Sequence, residues 1–404
     1  MEKRNIIIMK FGGTSVADAL KIKNVAKKAI RAKKKGKDVV VTVSAMGSTT
    51  DDLIELSRQI TARPLKREMD MLLSTGEQVS ISLLSMAINE EGYACVSLTG
   101  NQAGIITDNI FSNAKIMSIN SNRILKELKE GKIVIVAGFQ GISMENDITT
   151  LGRGGSDTTA VALAAALNAK YCEIYSDVEG VYTTDPSVVP EARKIQSLSY
   201  DEMMELASSG ARVLHLRAVE FAKKNDVVLH VRSSFKDIEG TWVMDFKDEK
   251  MESPVITGIS YDNNQVKITV FRLQDKPGIA ARLFGKLAEA NINVDLIVQN
   301  VSERNIATIT FTVKEDDIDI ARKVMEDTEY DDISIDTEVG KVSIVGAGMQ
   351  TNPGIAARMF EYLSREGVNI EMISTSPIRI SCVVRKDKVK RSLRALHKGF
   401  ELEK

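Results

Sequence analysis

The chain has 404 residues, 43% apolar and 27% charged, with a formal net charge of −1. That length calls for two or three domains, and so balanced a charge gives no global field for nucleic acid. The first apolar run, residues 6–9, is too short for a signal peptide, and no segment is expected to reach bilayer-spanning length, so a cytoplasmic protein without a membrane partner is expected.

Residues 5–10 read as a buried strand that breaks at Phe11-Gly12-Gly13-Thr14-Ser15 before the helical periodicity of residues 16–35. Lys10 thus sits at a strand's carboxyl end, where open α/β sheets bind ligands, beside a glycine turn and a helix start that suit a phosphate. Ser15 with Asp18 resembles a capping box. The basic cluster of residues 27–37 reads as a solvated helix end. A second strand, 38–44, leads through a hydroxyl-rich turn (Ser44, Ser48, Thr49, Thr50) into a helix at 52–60. Ser74-Thr75-Gly76 then precedes an apolar helix, 78–89, which puts Glu77 near a buried helix N-terminus; a carboxylate there serves either as a dipole partner or as an ammonium ligand. Strands at 94–98, 133–137, 171–176 and 227–232 alternate with helices, predicting a mostly parallel sheet between helix layers.

The most informative string is Thr150-Leu151-Gly152-Arg153-Gly154-Gly155-Ser156-Asp157, which opens an Ala-rich helix. Three glycines let the backbone approach a ligand, Ser156 or Asp157 is placed to cap the helix, and the helix start attracts an anion. Arg153 adds a planar cation suited to a carboxylate. After the strand 171–176 comes a long polar turn containing Ser176, Asp177, Tyr182 and Asp185, in which the acids either face a nucleotide's phosphates or form turns.

Past a linker at 245–252 the chain repeats. Lys276-Pro277-Gly278-Ile279-Ala280-Ala281-Arg282 with Asn291-Ile292-Asn293-Val294-Asp295 matches Asn352-Pro353-Gly354-Ile355-Ala356-Ala357-Arg358 with Gly367-Val368-Asn369-Ile370-Glu371. Each copy reads as a small α+β unit whose Pro-Gly junction leaves helix N–H groups free for an amino-acid carboxylate. Neither a P-loop nor the protein-kinase motif set occurs. Cys95, Cys172 and Cys382 lack paired spacing, and His215, His230 and His397 lack metal-ligand spacing, so neither a disulfide framework nor a resident metal is expected.

Six strings in order, Lys10-Phe11-Gly12-Gly13-Thr14-Ser15, Val43-Ser44-Ala45-Met46-Gly47, Ser74-Thr75-Gly76-Glu77, Gly138-Phe139-Gln140-Gly141, Leu151-Gly152-Arg153-Gly154-Gly155-Ser156-Asp157 and Tyr175-Ser176-Asp177-Val178-Glu179-Gly180-Val181, resemble aspartate kinase, and the tandem repeat resembles its paired ACT modules. The resemblance implies an α/β/α amino-acid-kinase domain over 1–245 and two ferredoxin-like ACT domains at 255–338 and 339–404, with strand exchange between them left open. It implies a monofunctional enzyme that phosphorylates the β-carboxylate of L-aspartate with ATP and Mg2+, feeding lysine, threonine and methionine biosynthesis.

By the same resemblance, Lys10 neutralises the moving phosphoryl group and Asp157 organises it. Arg153 and Ser156 hold the substrate's α-carboxylate, Glu77 its ammonium, and Ser44 and Thr50 line the site. Phe11, Gly12, Gly13, Gly154, Gly155, Ser176, Asp177, Tyr182 and Asp185 contact the nucleotide. Lysine, threonine or both are expected as effectors near Asp275, Asn293, Gln299 and Asn369, with a homo-oligomer formed through the ACT domains. Ser187 departs from the family, which usually has arginine after the Asp185-Pro186 pair. Kinases of the same fold acting on glutamate or acetylglutamate, and a non-catalytic amino-acid sensor, are the alternatives.

Overall fold

The structure, a computed structural model, describes residues 4–211, 213–245, 255–301, 306–326 and 332–404; most of the linker read at 245–252 lies outside them. The chain packs as two units. The first comprises Met1–Val181, Lys194–Ala207 and Arg212–Glu249, the second Tyr182–Arg193, Ser208–Ala211 and Lys250–Lys404.

The first unit runs β1 (Arg4–Phe11), α1 (Ala19–Lys34), β2 (Asp38–Val43), α2 (Thr49–Ile60), α3 (Lys66–Glu90), β3 (Cys95–Leu98), β4 (Ile105–Thr107), β5 (Ile116–Ile119), α4 (Asn122–Lys129), β6 (Ile133–Ala137), β7 (Gln140–Ser143), β8 (Ile148–Thr150), α5 (Gly155–Ala166), β9 (Ala169–Ser176), β10 (Ser197–Leu198), α6 (Tyr200–Ser208), α7 (Leu216–Lys224), β11 (Leu229–Ser233) and β12 (Thr241–Val243). Eight strands form one sheet, ordered β10-β12-β11-β9-β1-β2-β6-β3. Every pairing in it is parallel except β11 with β12. Alternate residues explain the layers: Ile7, Met9 and Phe11 join Val39, Val41 and Val43 in a core with Val25 and Ala29 of α1 and Leu84 and Ile88 of α3. Helix α5, buried from Gly155 to Ala164, lies against β1 and β9 on the opposite face. Because the chain steps from β1 to β2 on one side and returns to β9 on the other, β1 marks a topological switch point, and the ends of β1, β2 and β6 open onto one crevice. A separate four-stranded sheet, β5-β4-β7-β8, went unread in the sequence because its strands are only three or four residues long.

Three local expectations are corrected. Asp18, not Ser15, caps α1, accepting from the Lys21 N–H at 2.9 Å, whereas the Ser15 hydroxyl lies 2.5 Å from that of Ser234. Gly154 caps α5 in the left-handed region, at φ 71°, with Ser156 and Asp157 inside the first turn. Glu77 sits mid-helix, because α3 runs unbroken through Ser74-Thr75-Gly76: the Ser74 and Thr75 hydroxyls donate to the Met71 and Leu72 carbonyls, so they follow the helix instead of ending it. This continuity also overturns the expectation that no segment reaches bilayer length. Among the described residues α3 alone is long and apolar enough to cross a membrane by length and composition.

The second unit runs β13 (Gly258–Gln274), α8 (Ile279–Glu289), β14 (Ile297–Val301), β15 (Ile306–Val313), α9 (Ile318–Glu326), β16 (Ile333–Val345), α10 (Ile355–Arg365), β17 (Met372–Ser376), β18 (Arg379–Arg385) and α11 (Val389–Gly399), with one sheet ordered β14-β15-β13-β16-β18-β17. The two long strands serve both repeats. Residues 258–262 of β13 pair with 341–345 of β16, and after a register shift residues 267–270 pair with 333–336. The second repeat is therefore completed by a strand that precedes the first, and local periodicity cannot show that. Tyr182–Arg193 packs into this unit as well, with Val188 and Val189 joining the core of α10, α11 and β18.

Candidate functional site

At the end of β1 the Lys10 ammonium lies 2.5 Å from Asp157 Oδ1 in the first turn of α5, both side chains largely buried. Around them a pocket of about 340 Å3 is lined by backbone and side chains from four crossovers. Gly12 and Gly13 follow β1, Ser44, Ala45, Gly47 and Thr50 follow β2, Phe139 follows β6, and 152–157 lead into α5. Glu77 reaches in from α3. Glycine is required where these crossovers touch. A Cβ on Gly76 would meet Ala45 Cβ at 2.8 Å, and one on Gly138 would meet the Ser156 hydroxyl at 2.7 Å. Gly154 combines a left-handed backbone with the His215 ring, whose Cγ would lie 2.1 Å from an added Cβ. Gly154→Ala is therefore expected to destabilise the first unit by about 2–4 kcal/mol; an unchanged thermal melt would contradict this packing.

Glu77 is the electrostatic singularity of the pocket. Only 3% of it is exposed, Oε1 accepts from the Ala45 N–H at 3.1 Å, and Oε2 is buried with no hydrogen-bond partner among the described residues. Desolvation raises its pKa to about 7. An uncompensated carboxylate facing a pocket whose far rim carries Arg153 is suited to a ligand with a cationic and an anionic end. The helix start at Ser156 and Asp157 and the Lys10 ammonium together favour further negative charge.

The structure gathers Lys10, Gly12, Gly13, Ser44, Thr50, Glu77, Arg153, Gly154, Gly155, Ser156 and Asp157 around this one pocket. Phe11 does not line it: its ring is fully buried in the core and stacked on Tyr175 with ring centroids 4.5 Å apart. Ser176 ends the neighbouring β9 and Asp177 follows it, the Ser176 hydroxyl donating to Asp177 at 3.0 Å. Tyr182 and Asp185 fall in the second unit. There Asp185 accepts from the Ser187 N–H and hydroxyl at 2.8 and 2.7 Å and from the Tyr261 hydroxyl at 3.1 Å, an Asx turn that uses the serine standing in the usual arginine position. Ala45, Gly47, Phe139 and Gly152 also line the pocket. In the sequence they stand only inside the six strings, small or apolar residues without a chemical signature of their own.

A lysine ending the central strand of a parallel sheet and a glycine-framed helix start closing over it define an enzyme of the amino acid kinase family, whose model matches residues 5–233. ACT domain models match 267–330 and 342–400. An aspartokinase of Bacillus sp. (strain MGA3) is 51% identical over 401 residues, covering 98% of this chain and 97% of its own length. One from Corynebacterium glutamicum is 49% identical, covering 98% and 96%. Escherichia coli aspartokinase III in complex with aspartate and ADP aligns with a TM-score of 0.84 at 25% identity, over 98% of this chain and 99% of that one. Its complex with lysine and aspartate aligns at 0.77 and 26%, with the same coverage. The chain belongs to the aspartokinase family and is an enzyme of the aspartate kinase type, with ACT domains of the regulatory kind.

Proposed function

We propose that the chain transfers the γ-phosphoryl group of ATP to the β-carboxylate of L-aspartate. A carboxylate oxygen attacks phosphorus as the bond to ADP breaks, giving 4-phospho-L-aspartate and ADP. The observation that carries this reading is the convergence of Lys10 and Asp157, Glu77, and Arg153 on one pocket. Arg153 and Ser156 take the α-carboxylate, Glu77 the α-ammonium, and Ser44 and Thr50 close the sides, which leaves the β-carboxylate directed toward Lys10. An aspartate β-carboxylate is ionised at neutral pH, so no general base is needed. Positioning and charge dispersal supply the catalysis, with Lys10 and the first-turn amides of α5 facing the charge on the moving group. Gly12, Gly13, Gly154 and Gly155 allow the backbone to approach the phosphates, and Ser176 and Asp177 flank the nucleotide.

No cluster of three or more His, Cys, Asp or Glu side chains suited to a metal occurs among the described residues. We assign Mg2+ to the nucleotide's own phosphates. The aspartokinase III complex with aspartate and ADP supports both substrates. ATP consumption measured with aspartate, glutamate and N-acetylglutamate tests the assignment: turnover confined to aspartate is expected, and preference for either alternative refutes it.

The product leads toward lysine, threonine and methionine in the cytoplasm, and lysine, threonine or both act as feedback effectors on a homo-oligomer joined through the ACT domains. Asp275, Asn293, Gln299 and Asn369 are all exposed. Val298, Asn300 and Ile370, adjacent to the last two, line a pocket of about 390 Å3 together with Glu371 and Lys267. The aspartokinase III complex with lysine supports lysine as the effector class. Inhibition by saturating lysine plus threonine is expected, and an unchanged rate would remove the feedback reading.

A further inference from the structure

Two helical turns before Glu77, α3 carries a second buried acid, Asp70, which is fully inaccessible to solvent. It makes no ion pair among the described residues. Four donors converge on it instead. The Ser112 N–H lies 2.9 Å from Oδ2 and the Ser112 hydroxyl 3.2 Å from Oδ1, while the Thr150 N–H and hydroxyl each approach to 2.8 Å. An acceptor-only carboxylate has about four lone-pair sites, so these donors saturate it.

Both partners lead directly to Arg153. Thr150 ends β8, and Leu151-Gly152-Arg153 follow. Ser112 adopts a left-handed backbone at φ 68°, which a residue with a Cβ rarely holds without support. Gly152 packs against it, since an added Cβ would sit 3.0 Å from the Ser112 carbonyl oxygen. The Ala114 N–H donates to the Thr150 carbonyl at 2.9 Å. Behind this clasp Arg217 donates to the Leu151 carbonyl at 2.8 Å and the Ala114 carbonyl at 2.6 Å. Arg153 is exposed at the pocket rim, but the segment presenting it is fixed from inside.

We propose that Asp70 is a positioning residue for substrate recognition: by clasping Ser112 and Thr150 it orients the loop that presents Arg153, and so sets the affinity for the α-carboxylate of the acidic substrate. The inference rests on the assignment of Arg153 made above. Two-pronged grip of a carboxylate depends on orientation, so a small tilt of this loop weakens binding without touching the phosphoryl group. Asparagine keeps the shape of Asp70 but turns an NH2 group toward two donors.

The test is a double-mutant cycle on the full-length enzyme, reading KM for aspartate, KM for ATP and kcat. Asp70→Asn is expected to raise KM for aspartate about tenfold with KM for ATP unchanged, and to add less than about twofold in an Arg153→Ala background, since the residue acts through Arg153. Should Asp70→Asn fail to fold, Thr150→Val removes one donor and is read in the same cycle. Equal effects in both backgrounds, or an unchanged aspartate KM beside a raised one for Arg153→Ala, overturn the proposal alone. An unchanged aspartate KM in Arg153→Ala itself overturns the site assignment and this inference with it.

Discussion

Lys10→Ala is expected to lower kcat about a thousandfold, a loss on the order of 4 kcal/mol of transition-state stabilisation. The lysine ends the central strand with its stem in the sheet and its ammonium in the pocket, so removing it deletes a cation where the phosphoryl charge develops. It also leaves the Asp157 carboxylate, 8% exposed, without its partner and facing an anionic nucleotide. Lys10→Ala with Asp157→Asn is therefore expected to bind ATP better than Lys10→Ala alone, although neither variant recovers turnover. Steady-state kinetics on the three proteins decides the matter, and a Lys10→Ala enzyme within tenfold of the parent would exclude the assigned role.

The second large effect concerns Glu77. Its pKa near 7 means that the free enzyme holds this carboxyl protonated below neutrality and ionised above it. The ionised form is the one that opposes an ammonium, so kcat/KM for aspartate should fall as pH drops below about 7, with kcat less affected because bound substrate stabilises the charge. The stability consequence has the opposite sign to that of an ordinary paired acid. With the folded-state pKa raised above the unfolded value, ionisation opposes folding; the penalty is absent at pH 4, grows through pH 7 and is complete above it. Glu77→Gln should accordingly stabilise the free enzyme at pH 8 by about 2–3 kcal/mol, little at pH 5, and reduce kcat/KM for aspartate a hundredfold or more. Equal melting shifts at both pH values would contradict a desolvated, uncompensated carboxylate.

What the sequence discloses and what it conceals divide along physical lines. Lys10, the two glycine turns and Arg153 were legible because each is a local device: a strand end, a positive-φ turn and a helix start declare themselves within a few residues. The continuity of α3 was not, since Ser74-Thr75-Gly76 carries local signs of a break, yet the helix runs through it with both hydroxyls bonded back to the preceding turn. Asp70 was invisible for a related reason, its donors lying about forty and eighty residues away. The same holds for residues 258–262, which complete a repeat that begins some eighty residues later, and for Tyr182–Arg193, which buries Val188 and Val189 in the second unit. Long-range register and packing are not written in any window.

The central claim is that one pocket directs an aspartate β-carboxylate at the γ-phosphorus of ATP. Running the reaction in hydroxylamine, which captures acyl phosphates, tests it most directly. β-Aspartyl hydroxamate formed in step with ADP, and abolished by Lys10→Ala, is the predicted result; ADP release without hydroxamate, or hydroxamate on the α-carboxyl, would contradict it.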